Sequence, residues 1–282
     1  MFEAGLLRNK RILITGGGTG LGRAMAQRFL TLGAAVYICG RRADVLQQTC
    51  DELARNAAGD ISSIPCDVRD SGAVEQMLDA IWRDGALNVL VNNAAGNFIT
   101  RTEELSPRAW ESVLGIVLTG TINVTMGCGR RWLQAVQPAN VLNISTTYAT
   151  SGSGSAYVVP SAVAKAGVMA LTTSLAVEWG PRGIRLNGIA PGPIPTEGAF
   201  SRLIPSKEIE QKALQRNPLR RFGTSEELAN LAAFLVSDGC TYINGEIVVM
   251  DGGEWLQGAG EFSYLGQMLN DADWNAMRPK KK

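Results

Sequence analysis

The feature that most restricts the fold of this chain is a glycine run, Thr15-Gly16-Gly17-Gly18-Thr19-Gly20-Leu21-Gly22, set between two segments of opposite periodicity. Before it lies a short apolar run, Arg11–Thr15; after it, Leu21, Met25, Phe29 and Leu32 recur on one face of the helix expected over Leu21–Leu32. Strand, glycine turn and amphipathic helix together make one βα unit. The alternation continues through strands expected at Ala35–Cys39, Ile61–Cys66, Val89–Val91, Asn140–Ile144, Arg185–Ile189 and Ile247–Met250. A long helix is expected at Ser161–Trp179, opened by Pro160. The strands read as continuous apolar runs, as strands covered on both faces do. The expected fold is α/β: one doubly wound domain, a mostly parallel seven-stranded sheet with helices on both faces.

The 282 residues carry no internal repeat and no linker, so the whole of 1–282 is read as one domain. Its core spans 10–253, the Pro/Gly-bearing stretch 191–217 reads as a substrate loop, and 254–282 is a C-terminal extension whose Trp255, Tyr264, Leu265, Met268 and Trp274 could meet a neighbouring subunit. A formal charge of +1 offers no field for nucleic acid or an anionic membrane. No apolar run is read as membrane-spanning, and Met1 to Arg11 lacks a secretory apolar region. The five cysteines are scattered without a C-x-x-C pair, which points to a reducing, cytoplasmic setting and away from zinc. Histidine is absent, which removes Ser-His-Asp and His-metal chemistry and leaves proton transfer to Tyr, Lys, acids, Cys or water.

Glycines at a strand-to-helix turn let a pyrophosphate approach the backbone at the positive end of the helix. The second strand then ends Ile38-Cys39-Gly40-Arg41-Arg42, where an NAD enzyme carries an acid for the ribose hydroxyls. Two guanidiniums suit a 2′-phosphate, so the expected cofactor is NADPH.

With Cys66-Asp67-Val68, Asn92-Asn93-Ala94-Ala95-Gly96 and Pro191-Gly192-Pro193, the glycine turn resembles the short-chain dehydrogenase/reductase superfamily, a Rossmann class, over nearly the whole chain. The resemblance implies cofactor contacts at Gly16, Thr19, Gly20, Leu21, Gly22, Asp67, Val68, Asn93, Ala94, Gly96, Lys165, Pro191, Gly192 and Ile194. Asp67 would meet the adenine; Asn93 has an equal reading as a turn residue. The resemblance also implies a homotetramer.

Most of that superfamily places tyrosine four residues before a helix lysine. Here the lysine is Lys165 and the position four before it is Ser161, too weak an acid to replace a phenol. The segments Val158-Val159-Pro160-Ser161-Ala162, Asn92 to Ile99 and Pro191 to Leu203 resemble the 2,4-dienoyl-CoA reductase branch, which has serine there and takes its tyrosine from a position matching Tyr148. That branch implies an acyl-CoA substrate of fatty acid metabolism, with Tyr148 as proton donor, Lys165 holding the ribose, and Ser161 bonding substrate, cofactor or water. Thr119 stands where the branch has asparagine, donating either to substrate or to a helix carbonyl. Phe98, Tyr157, Phe200 and Arg202 are the expected substrate contacts, beside Ile194, Leu203 and Lys207. Two alternatives stay open: an enoyl- or 3-oxoacyl-thioester reductase using Tyr157, or a protein that binds NADPH without turnover.

Overall fold

The computed structural model describes residues 2–55, 57–150, 154–196, 207–259, 270 and 272. Seven strands form one sheet: β1 (Arg11–Thr15), β2 (Ala35–Gly40), β3 (Ile61–Pro65), β4 (Val89–Asn92), β5 (Ala139–Ile144), β6 (Ile184–Pro191) and β7 (Ile247–Met250). Their order is β3-β2-β1-β4-β5-β6-β7, and every pairing is parallel. All seven expected strands are present, with ends shifted by a residue or two. The order reverses direction between β1 and β4, which opens a crevice at their carboxyl ends.

The pleat divides the core. Ile12 and Ile14 of β1 point into one apolar layer, shared with Phe29 of helix α1 (Gly20–Thr31) and Leu228 of Ser225–Val236. Leu13, between them, points into the other layer with Leu78, Ile81 and Trp132. Alternation on one strand into two apolar layers is what a doubly covered sheet demands.

The remaining helices are α2 (Ala43–Ala54), α3 (Ser71–Arg83), α4 (Pro107–Leu114), α5 (Gly120–Ala135), α6 (Val159–Trp179), α7 (Lys207–Arg216), α8 (Ser225–Val236) and α9 (Glu254–Ala259). Helix α4 passes into α5 through one π-helical turn, Gly115–Thr119. Helix α6 starts two residues earlier than expected, with Pro160 inside its first turn. The stretch 191–217 is not all loop, because β6 runs to Pro191 and α7 occupies its end. Charge rather than an apolar stripe marks α7: Glu208 and Glu210 open it, Arg216 closes it, and Lys212 pairs with Glu208 at 3.0 Å.

Against expectation, Pro107–Ala135 and Val159–Arg182 are each long and apolar enough to cross a membrane by length and composition. Their apolarity serves the sheet: Val124, Cys128 and Trp132 of α5 and Val168, Leu175 and Trp179 of α6 are buried.

Candidate active site

The crevice between β1 and β4 is framed by backbone. Gly16 has φ +66°, and a Cβ on Gly22 would lie 2.3 Å from the Gly16 carbonyl oxygen and 2.7 Å from Asn93 Nδ2. Asn93 braces this turn from the β4 side: its Nδ2 donates to the carbonyls of Thr15 (3.0 Å) and Gly16 (3.2 Å). Thr15 Oγ1 in turn accepts from the backbone N–H groups of Asn93 and Ala94, each at 3.0 Å. Asn93 therefore has a structural role in the glycine turn itself.

Helix capping marks where an anion fits. Asp70, Ser106 and Thr224 cap α3, α4 and α8 with side-chain oxygens. Thr19 and Arg42, at the starts of α1 and α2, make no side-chain cap. Both helices open on a cleft of ≈ 330 Å³ lined in part by Gly16, Thr19, Leu21, Arg41, Arg42, Asp67, Val68, Asn93 and Ala94. The Gly16 and Gly17 N–H groups donate to the Cys39 carbonyl, while the start of α1, with no side-chain cap and no acid in its first turn, suits a pyrophosphate. The residues present thus fit a dinucleotide.

Arg41 and Arg42 are exposed on the rim, and among the described residues neither is in an ion pair. Asp67 is gripped by Arg69, whose Nη2 lies 2.5 Å from Oδ2 and whose backbone N–H donates to Oδ1 at 3.1 Å. The Arg69 hydrogen bonds hold this carboxyl below the usual carboxylate range. Cys39 and Cys66 also line the cleft. Burial pushes the Cys39 thiol well up and that of Cys66 to about 11, so neither is a thiolate nucleophile at neutral pH.

A second group of side chains gathers where β5 ends. Tyr148 sits in a short turn, Thr147–Ala149, and its Oη lies 3.0 Å from Ser161 Oγ. Ser161 is 3% exposed, one helical turn ahead of Lys165 on α6. Lys165 is the sole charged residue among the buried described side chains, and it donates to the Ile144 carbonyl. Burial pushes its ammonium down to about 8. Asn97, given no role by the sequence reading, donates from Nδ2 to Tyr148 Oη at 3.3 Å.

The other expected residues fall around these two groups. Gly20 faces Thr196, whose Cβ is 3.5 Å from where a Gly20 Cβ would stand, so the chain after β6 returns over the glycine turn. Gly96 abuts Ile116, and the Gly192 N–H donates to the Met250 carbonyl at 3.0 Å, just beyond Pro191. Ile194 packs against the α1-side core. Phe98 packs beside Val113, Val117 and Ala164, forming a wall toward α6.

Among the described residues, neither Thr119 nor Tyr157 is hydrogen-bonded to Tyr148, Ser161 or Lys165. Thr119 ends the π turn with its side chain exposed, while Val117 before it is buried. Tyr157 is 56% exposed with φ +68°; its carbonyl accepts from the Thr100 N–H at 3.0 Å, but its phenol is not bonded to Ser161 or Lys165. Phe200, Arg202 and Leu203 lie outside the described residues, as does most of 260–282.

Uncapped helix ends beside a buried ammonium and a paired phenol are what a pyridine-nucleotide oxidoreductase needs, with anion binding and proton supply at adjacent strand ends. The chain belongs to the short-chain dehydrogenase/reductase family: residues 16–254 match the family described as Enoyl-(Acyl carrier protein) reductase. Members of this family bind NAD(P)H. A probable (2E)-enoyl-CoA-producing 2,4-dienoyl-CoA reductase of Bacillus subtilis (strain 168) is 45% identical over 252 residues, covering 89% of this chain and 98% of the relative. A probable (3E)-enoyl-CoA-producing 2,4-dienoyl-CoA reductase of Caenorhabditis elegans is 44% identical over 273 residues, covering 95% and 87%. Among solved structures, a short chain dehydrogenase from Bacillus anthracis is similar at TM-score 0.79 and 41% identity, over 87% of this chain and 96% of that one.

Proposed function

We propose that this chain is an NADPH-dependent reductase of 2,4-dienoyl-CoA thioesters. The observation that carries the reading is the 3.0 Å contact between Tyr148 Oη and Ser161 Oγ. It brings a phenol to the place on α6 where Ser161 occupies the position four before Lys165.

Arg41 and Arg42, exposed and in no ion pair among the described residues, would take the 2′-phosphate, and the α1 N-terminus the pyrophosphate. When bound, the dihydronicotinamide supplies an electron pair and a hydrogen to C5 of the dienoyl chain. Charge then develops on the thioester oxygen as a dienolate. Tyr148 Oη–H donates to that oxygen and supplies the proton that completes the reduction. Lys165 stands one turn from Ser161, its charge held at the Ile144 carbonyl, where it would hold the cofactor ribose and favour negative charge nearby. Ser161 keeps the phenol in place and transfers no proton.

Exposed Val163 and Val177 on α6 and Ile122 on α5 leave apolar side chains for a second subunit, in keeping with a homo-oligomer. The function is tested by following NADPH oxidation with a dienoyl-CoA, a 2-enoyl-CoA and a 3-oxoacyl-CoA of equal chain length. Preference for the dienoyl-CoA supports the reading. Turnover of only the other two, or tight NADPH binding with no turnover, refutes it.

A further inference from the structure

We infer that Asn97 is a positioning residue for Tyr148: its amide fixes which way the phenol's proton points. The inference deepens the proposed function and rests on Tyr148 being the donor.

Asn97 lies on the loop after β4, and Tyr148 on the turn after β5. The two strands are neighbours, with Asn92 paired to Asn143, so both connections leave the same edge of the sheet side by side. The orientation of the Asn97 amide is settled by its own backbone. The Phe98 N–H, which can only donate, points at Asn97 Oδ1 at 2.9 Å, so the NH₂ group is the half that faces Tyr148 Oη, at 3.3 Å.

A phenol oxygen has one proton to give and two lone pairs to receive. Asn97 fills one lone pair. Ser161 Oγ, at 3.0 Å, can fill the second by donating. When Ser161 donates, both acceptor positions are taken by protein and the Tyr148 proton is left for the substrate oxygen. The same two donors then stabilise the oxygen as its proton leaves, when the O–H bond breaks and its electron pair stays on the phenol. Without the Asn97 N–H, the phenol proton can turn toward position 97, a direction that donates nothing to substrate.

The loop bearing Asn97 is anchored independently of this bond. Thr100 N–H donates to the Tyr157 carbonyl at 3.0 Å, and Phe98 packs beside Val113, Val117 and Ala164. A change at Asn97 that keeps the Phe98 bond should therefore leave the loop standing.

Asn97→Asp does this, since a carboxylate oxygen still accepts from Phe98 but has no N–H for Tyr148. Steady-state rates with NADPH and 2,4-hexadienoyl-CoA should show kcat down by about 10-fold or more, the worth of one hydrogen bond to a reacting group. KM for NADPH should stay within about two-fold, because no cofactor contact is touched. In a Tyr148→Phe background the same change should add no further loss, as for residues acting through one another. Asn97→Ala, checked for folding by circular dichroism, should behave likewise. An unchanged kcat in both variants, or a loss that multiplies with that of Tyr148→Phe, would overturn the inference. Near wild-type activity of Tyr148→Phe alone would instead overturn the reading of Tyr148 beneath it.

Discussion

Tyr148 Oη and Ser161 Oγ lie 3.0 Å apart, although one side chain comes from the turn after β5 and the other from the first turns of α6. The phenol thus reaches the helix turn ahead of Lys165 by crossing from another element. In the proposed mechanism Ser161 supports the phenol there and does not substitute for it. Ser161→Ala should lower kcat by about 10-fold, the worth of one hydrogen bond. Ser161→Tyr placed in a Tyr148→Phe background should not restore activity, because its phenol would project from α6 along a different line. Single-turnover rates of the three variants check this; rescue by Ser161→Tyr would mean that the site accepts a phenol from either element.

In the proposed function, the choice of NADPH over NADH rests on Arg41 and Arg42. Replacing both with alanine should weaken NADPH binding by about 2–4 kcal/mol, the sum of two charge-assisted contacts. NADH affinity should be nearly unchanged. Fluorescence titration with each nucleotide decides it: equal weakening of both would make these arginines part of the scaffold.

The glycine turn is sterically closed at Gly22. Gly22→Ala would bring its Cβ to 2.3 Å from the Gly16 carbonyl, so the turn must move. We expect a loss of stability on the order of 1–3 kcal/mol, as for other overpacked sites, together with loss of nucleotide binding. Gly154→Ala, where an added Cβ meets nothing within 4 Å, is the matched control. Equal urea midpoints for the two variants would show that the turn yields freely.

Lys165 links stability to pH. Burial lowers its ammonium to about 8 in the folded chain, against about 10.4 for an unfolded lysine. Below 8 both states are charged and the buried charge costs the folded state its full penalty. Between the two values the unfolded chain binds more protons, so this residue makes stability rise with pH until the penalty is gone. Lys165→Met should therefore be more stable than the parent at pH 7, and its advantage should shrink as pH rises from 8 toward 10. Urea melts without nucleotide at pH 7 and pH 10 measure it; an advantage independent of pH would contradict the assignment.

The scaffold was legible because double-sided burial leaves a local mark: Ile12, Leu13 and Ile14 are all apolar, and each reports a covered face. The glycine turn was legible for the same reason, since its close approaches fall within a few residues. Helix α7 was not, because Lys207–Arg216 carries few apolar residues, Ile209, Ala213 and Leu214, within a stretch read for its Pro and Gly content. The spanning-length apolarity of Pro107–Ala135 and Val159–Arg182 was also underestimated, since it is spread over helices covering a sheet. At the site, the motif and the place of Tyr148 just past the carboxyl end of an expected strand pointed to it over Tyr157. The structure separates them by backbone, with Tyr157 at φ +68° and its side chain exposed. Nothing in spacing told that Thr119 would be exposed at the end of a π turn, or that Asn97 would meet a residue 51 positions away. Those facts depend on which loops leave neighbouring strands, and so on the strand order itself.

The most direct measurement is kcat for Tyr148→Phe beside Tyr157→Phe, with saturating NADPH and a 2,4-dienoyl-CoA. If Tyr148 supplies the proton, its loss should cost about 100-fold or more, the usual worth of a positioned acid or oxyanion donor. NADPH affinity should survive, and Tyr157→Phe should remain within a few-fold of the parent. Collapse of Tyr157→Phe, with Tyr148→Phe near the parent rate, would contradict the account.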